Sequence, residues 1–237
     1  MLICESLSKH YRSLNGEVKS LDKVDLHVNK GEFLVVRGHS GSGKTTLLLT
    51  LGAMLHPTHG RVLLNDADLY GLSRSERTKF RSRSIGFVFQ MFHLVPYLNV
   101  IDNVLSGVDK TNQDSRAKAE NFLQELGLGD RLHHLPNQLS AGEKQRTALA
   151  RAMAPEPALI LADEPTGNLD PENSLEVCTH LKKFQERGGT VIVVTHGDAV
   201  NAFADRTIDL KDGTLLSKSS CNDTEVINFD EEQSKKS

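Results

Sequence analysis

Lys44 and Thr45 close the stretch Gly38-His39-Ser40-Gly41-Ser42-Gly43-Lys44-Thr45-Thr46. The spacing from Gly38 to Gly43-Lys44-Thr45 is that of a phosphate-cradling loop for nucleoside triphosphates. Glycines leave the backbone free to wrap a polyphosphate, so that the N–H groups of Gly38, Ser40, Gly41, Ser42 and Gly43 turn inward. The helix expected to begin near Gly43 adds its positive dipole end. Lys44 has the length to reach β- and γ-phosphates, and a hydroxyl of the Thr45 type holds Mg²⁺ in such loops, next to Thr46. Two further groups could take part. Asp163 and Glu164 end the apolar run Leu159-Ile160-Leu161-Ala162, and His196 ends Thr190-Val191-Ile192-Val193-Val194-Thr195. Two acids at the end of a buried strand are costly unless they face a cation or a polar ligand. Asp163 suits Mg²⁺, directly or through water. Glu164, one residue further on, suits a general base acting on water, and His196 can donate to a γ-phosphate.

These groups need a scaffold that brings strand ends together. Phe33-Leu34-Val35-Val36 before the loop and Leu47-Leu48-Leu49 after it read as strand and helix. Strands without alternation, separated by helices, imply a parallel sheet covered on both faces, with ligands at the carboxyl ends of the strands. The N-terminal 30 residues read as strands, with alternation in Val18-Lys19-Ser20-Leu21 and Val24-Asp25-Leu26-His27-Val28. Ser73 and Glu76 have capping-box spacing for a helix rich in basic residues, read as a solvated face. Ile85-Gly86-Phe87-Val88-Phe89 is a short strand ending at Gln90.

From about residue 91 to 155 helical spacing takes over. Asn99 can cap a helix over 100–106, and Ser115 another through Leu126. Ser140 and Glu143 form a second capping box on a helix that runs to about Met153. A helix from about Asn173 to Arg187 is expected to stop at Gly188-Gly189. Residues 207–216 read as a hairpin turning at Asp212-Gly213. The expected fold is therefore α/β. It has a P-loop core with a mostly parallel sheet, an antiparallel β subdomain at the N-terminus, and an inserted α-helical subdomain. The expected organisation is one domain over 1–217, with the core at about 1–90 and 156–217, the helices at about 91–155, and a disordered acidic tail over 218–237.

Composition narrows the class. The 237 residues are 38% hydrophobic and 25% charged, enough for a soluble core without covalent staples. A net charge of −3 with no basic block gives no support for a nucleic-acid partner. Cys4, Cys178 and Cys221 are too dispersed for a disulfide framework or a metal site, and fit a reducing compartment. The N-terminus does not read as a signal peptide, and no apolar run has the roughly 18 residues of a membrane helix. Work at a membrane would require docking onto a spanning partner.

Leu139-Ser140-Ala141-Gly142-Glu143-Lys144-Gln145-Arg146 resembles the signature motif of ATP-binding cassette (ABC) proteins. Physically it is a second anion site, a serine hydroxyl and amides at a helix N-terminus. The resemblance covers nearly the whole chain and implies several assignments. Ser140, Ala141, Gly142 and Glu143 would close over the ATP of a second copy, head to tail. Tyr11, by itself an ordinary edge-strand tyrosine, would stack on adenine. Gln90 would link the γ-phosphate site to a membrane partner, joining Glu164 and His196 in the catalytic set and Thr45 and Asp163 at Mg²⁺. Asn168-Leu169-Asp170 would cross the dimer interface. Asp163-Glu164-Pro165-Thr166-Gly167 and Gly86–Gln90 look like the bacterial branch serving lipoprotein release, macrolide or peptide efflux, and a cell-division complex.

That resemblance implies an ATP-hydrolysing subunit that powers a separate membrane permease, working at the cytoplasmic face of the inner (plasma) membrane. A second reading keeps the ATPase but replaces transport by mechanical signalling to the membrane partner. Two departures from the family pattern stand out. Ala141 replaces the commoner first glycine, and its methyl is expected to loosen the anion site slightly. Glu143 replaces the usual glutamine. A soluble cassette acting on nucleic acid would carry two cassettes or long coiled-coil insertions, and a P-loop kinase would not carry the signature stretch.

Overall fold

The computed structural model describes residues 1–13, 16–108 and 115–216. The tail expected over 218–237 lies outside the described residues. Strands β1 (Leu2–Ser13) and β2 (Gly16–Val28) form a long antiparallel hairpin that continues into β4 (His59–Leu64) and β5 (Ala67–Asp68), in the order β2-β1-β4-β5. The two alternating stretches of the sequence reading are one strand, β2. They meet near Lys23, whose backbone has φ 51° and whose amide is taken up by Ser8 Oγ at 3.0 Å.

The second sheet runs β10-β9-β3-β8-β7-β6. It comprises β3 (Phe33–Arg37), β6 (Ile85–Phe89), β7 (Leu159–Asp163), β8 (Thr190–Thr195), β9 (Arg206–Lys211) and β10 (Thr214–Leu216). All pairings are parallel except β10 on β9. Alternation along β3 divides the core in two. Leu34 and Val36 pack with Leu47, Leu48 and Leu51 of α1 (Lys44–Leu51). Phe33 and Val35 pack on the other face with Leu149 of α5 (Ala141–Met153) and Val177 and Leu181 of α6 (Pro171–Glu186). Side chains at period two that are apolar on both faces require this double cover.

Local signals set the helix ends. Ser73 and Glu76 make the expected reciprocal cap on α2 (Arg74–Ser84), none of whose residues is buried. Asn99 caps α3 (Val100–Leu105) by accepting from the Asp102 amide at 2.9 Å. Ser115 is the first residue of α4 (Ser115–Glu125), one place inside the helix rather than before it. Helix α6 begins at Pro171, two residues earlier than the spacing suggested. Asp170 is its cap, and proline is preorganised for the first helical position. Helices α3, α4 and α5 pack together as the inserted helical layer. Past the carboxyl end of β9, Asp212 and Gly213 take φ 47° and 76°, the left-handed pair of a two-residue hairpin. That tip leans on the glycine-rich loop, with the Gly213 amide donating to Ser42 O at 3.1 Å.

Candidate functional site

The carboxyl ends of β3, β7 and β8 open onto a cavity of about 870 Å³. Gly38, His39, Ser40, Gly41, Gly43, Lys44, Thr45 and Thr46 wall one side, and Gln90, Asp163, Glu164 and His196 the other. Residues 125 positions apart meet because β3, β8 and β7 are parallel neighbours, with Arg37 beside Thr195 and Asp163 beside Val194. The loop turns on glycines. Gly41 has φ 81° and Gly43 φ 102°, and a Cβ at Gly43 would overlap the carbonyl of Ser20. Ser20 Oγ in turn donates to Thr46 Oγ1 at 2.8 Å.

Lys44 is buried, and its ammonium donates to Gly38 O at 2.6 Å and His39 O at 3.0 Å. It also stands 3.9 Å from Glu164 Oε1. The Glu164 backbone has φ 47°, a strained conformation for a non-glycine that aims the carboxylate back over β8. Oε1 lies 2.7 Å from His196 Nδ1 and accepts the His196 amide at 3.0 Å, while Oε2 accepts Thr195 Oγ1–H at 2.8 Å. Burial raises the Asp163 carboxyl above its ordinary value. The Thr45 hydroxyl opposes that rise, the neighbouring Glu164 adds to it, and Lys44 opposes it. Gln90 is tied to the loop after β7, since its Nε2 donates to Asn168 Oδ1 at 3.4 Å and its carbonyl accepts Asn168 Nδ2 at 3.2 Å.

Among the described residues there is no group of three or more His, Cys, Asp or Glu side chains that would hold a metal unaided. The donor set Thr45, Asp163 and Gln90 is instead of the sparse oxygen kind. Magnesium binds to such sites together with water and substrate phosphates. A divalent ion there would also offset the burial cost of the Asp163 charge.

Ser42 does not line the cavity. Its side chain is buried behind Gly38, with Oγ unpartnered. Only its backbone remains for phosphate. Tyr11 lies outside the cavity too. It is 42% exposed on β1, with the Lys9 ammonium 5.2 Å from its ring.

The residues Ser140–Glu143 and Asp170 form a separate constellation at the N-termini of α5 and α6. Ser140 Oγ accepts the Glu143 amide at 3.2 Å, and the Ser140 amide donates to Glu143 Oε2 at 2.8 Å. Arg131 Nε donates to Glu143 Oε1 at 2.8 Å. The Ser140 amide first, then Arg131, hold the Glu143 carboxyl down at about 2. Asp170 is held low chiefly by the Asn173 amide. The two helices are cross-braced, with Arg146 bound to Asn173 Oδ1 at 3.0 Å and to Glu176. Gln145 Nε2 donates to Pro165 O at 2.6 Å, which joins the signature helix to the segment after Glu164. Asn173 and Thr195 stood in the sequence as a helix position and a strand end. Their roles arise only from what the fold places beside them.

A larger cavity of about 1,090 Å³ lies at the other end of the sheet, lined by Phe122, Met153 and Phe184. No predicted site residue reaches it, so size does not mark the site here.

The family described as ABC transporter matches residues 21–167. The chain is 43% identical over 221 residues to the lipoprotein-releasing system ATP-binding protein LolD of Shewanella frigidimarina, covering 91% of this chain and 92% of that protein. It is 42% identical over 218 residues to the macrolide export ATP-binding/permease protein MacB of Chlorobaculum tepidum, covering 91% of this chain but 34% of that longer protein. Among solved structures it resembles the ATP-binding cassette MJ0796, dimeric and bound to ADP and Pi. The TM-score is 0.87 at 37% identity, over 94% of this chain and 100% of that one.

Proposed function

This chain belongs to the ABC transporter family, and we propose how its residues turn ATP hydrolysis into work on a membrane permease. It is an ATPase subunit that pairs with a second copy of itself and powers a permease on a separate chain. The observation that carries the mechanism is the convergence of Lys44, Asp163, Glu164 and His196 on one cavity above three parallel strand ends.

Loop amides from Gly38 to Gly43 and the Lys44 ammonium bind the β- and γ-phosphates. Thr45, Asp163 and Gln90 would hold Mg²⁺, which would neutralise charge on the phosphate oxygens. Tyr11 stacks on adenine from the β subdomain. Glu164 takes a proton from water as the water oxygen bonds to the γ-phosphorus. The bond from γ-phosphorus to the bridging oxygen then breaks, and its electron pair leaves with ADP. His196, 2.7 Å from Glu164 Oε1, exchanges that carboxylate for the γ-phosphate when nucleotide enters.

Ser140, Ala141, Gly142 and Glu143 serve the ATP of the second copy, with Asp170 at the seam between copies. This division of labour fits the separation of the two constellations within one chain. The chain acts as one domain, and its helical layer from about 91 to 155 faces the permease. No helix among the described residues is long and apolar enough to cross a membrane. We place the ATPase at the cytoplasmic face of the inner membrane, held there by its permease. Its relatives in lipoprotein release and macrolide export favour an extrusion-type cargo.

The Glu164→Gln variant tests this. Loss of a positioned general base costs about 10²- to 10⁴-fold in rate. MgATP binding should survive on Lys44, Thr45 and Asp163, and uncleaved ATP should hold two copies together by mass action. Light scattering should find a dimer in MgATP and a monomer without it. Hydrolysis at the normal rate would remove Glu164 from the mechanism, and a monomer at saturating MgATP would remove the shared site.

A further inference from the structure

The geometry points to Thr195 as a positioning residue that decides which oxygen of Glu164 acts on water. This rests on the reading of Glu164 as the base. Thr195 closes β8 and is 1% exposed. Its hydroxyl oxygen accepts the Gly197 amide at 2.9 Å, and its O–H points at Glu164 Oε2, 2.8 Å away. A hydroxyl has one proton to give. With the Gly197 amide fixing the acceptor side, that proton goes to Oε2.

The two carboxylate oxygens therefore differ. Oε2 is tethered to a buried, oriented donor on the strand side, away from the cavity wall. Oε1 faces Lys44 at 3.9 Å and the exposed His196 ring at 2.7 Å. When the His196 ring turns to the γ-phosphate, Oε1 loses its ring contact and keeps only the His196 amide, which both oxygens share at 3.0 and 3.3 Å, while Oε2 stays held by Thr195. The proton leaving the attacking water is then received on Oε1, beside the phosphate. Thr195 also opposes rotation of a carboxylate whose backbone already sits at φ 47°. Without the tether, the same carboxylate samples rotamers in which neither oxygen points along the line of attack. Small errors of position at a reacting centre cost rate rather than binding.

The test uses the full chain and four variants. Thr195→Val keeps the shape and removes the donor, and Thr195→Ser restores it. A hydrogen bond to a charged group corresponds to about 10- to 100-fold. Thr195→Val should therefore lower kcat by about that factor. ATP affinity, KM and thermal midpoint should stay near the parent values, and Thr195→Ser should recover most of the rate. The decisive arm combines Thr195→Val with Glu164→Gln. If Thr195 acts through Glu164, the double variant should retain the residual rate of Glu164→Gln alone. A normal rate in Glu164→Gln would sink the premise about the base. A slow Glu164→Gln with a fully active Thr195→Val would overturn the role of Thr195 itself. So would a double variant slower than Glu164→Gln by the full factor, or a failure of serine to rescue.

Discussion

The carboxamide of Asn173 occupies the space where Gly142 would carry a side chain. A Cβ at Gly142 would overlap Asn173 Oδ1 and Cγ. Asn173 cannot easily yield, because Nδ2 donates to Asp170 Oδ2 at 2.6 Å and Oδ1 accepts from Arg146 at 3.0 Å. The first turn of the signature helix is thus keyed to the cap of α6. Ala141, the departure from the family pattern, stands differently. That residue is exposed, and its methyl meets no such brace.

Gly142→Ala should therefore destabilise the fold by about 1–3 kcal/mol, the usual cost of overpacking. It should also prevent ATP-dependent pairing in the Glu164→Gln background. Adding Asn173→Ala should return most of the stability, because the Asp170 cap on the backbone amide remains. Thermal melts of the two variants check this, and an unaffected Gly142→Ala would show that the brace gives way.

Glu143 links the same helix end to pH. Its carboxyl titrates at about 2 in the folded chain against an ordinary value of 4.5. A depressed folded value means stability that is full above about 4.5 and lost as pH falls toward 2. Glu143→Gln keeps an acceptor for the cap but not the charge. It should cost less than about 1 kcal/mol at neutral pH, as for exposed pairs. The gap in melting temperature between parent and variant should stay constant from pH 7 to 5 and narrow below that. A gap that widens in acid would contradict the assignment.

Tyr11→Ala tests the adenine contact from the other subdomain. Stacking on a base is worth about 1–3 kcal/mol, so ATP affinity should fall roughly 5- to 150-fold with an unchanged metal requirement. Titration with a fluorescent ATP analogue measures it. Equal affinity would leave Tyr11 as an exposed residue of β1 beside Lys9.

Much of this architecture was legible because it is periodic or local. Leu159–Ala162 and Thr190–Thr195 are apolar without alternation, which only a doubly covered sheet accepts. Ser73, Asn99 and Ser140 announced their helices by side chains that bond the first free amides. The start of α6 was missed by two residues although Asp170-Pro171 carries both a cap and a first-turn proline. The loop reading of Asn168–Asp170 competed for the same residues. The side-chain contacts of Ser42, Asn173 and Thr195 were not legible. A hydroxyl behind a glycine, a carboxamide over a glycine and a hydroxyl under a carboxylate are tertiary accidents of adjacency, with no sequence period to signal them.

The stretch after Gln90 carries the last prediction, that it touches the permease. Its apolar residues divide into two sets. Phe92, Leu94, Val95 and Leu98 are half-buried, whereas Met91 and Tyr97 are 69% and 81% exposed. The loop is not loose. Arg151 of α5 donates to Phe92 O at 2.9 Å and His93 O at 2.5 Å, and Asn103 Nδ2 donates to Val95 O at 3.1 Å and Leu98 O at 2.8 Å. Left-handed backbones at Phe92 and His93 set the bend. A braced loop that presents a large aromatic to solvent suits a partner more than a core. It also begins at Gln90, which itself lines the cavity, so motion there reaches the cavity directly. A photo-cross-linker at Tyr97 should capture the permease, and more of it when nucleotide is bound. Tyr97→Ala should leave basal ATP hydrolysis by the isolated chain within about twofold, as surface changes usually do, while lowering stimulation by the permease. Cross-links absent from the whole stretch 91–98, with stimulation unchanged in Tyr97→Ala, would move the docking surface elsewhere on the helical layer.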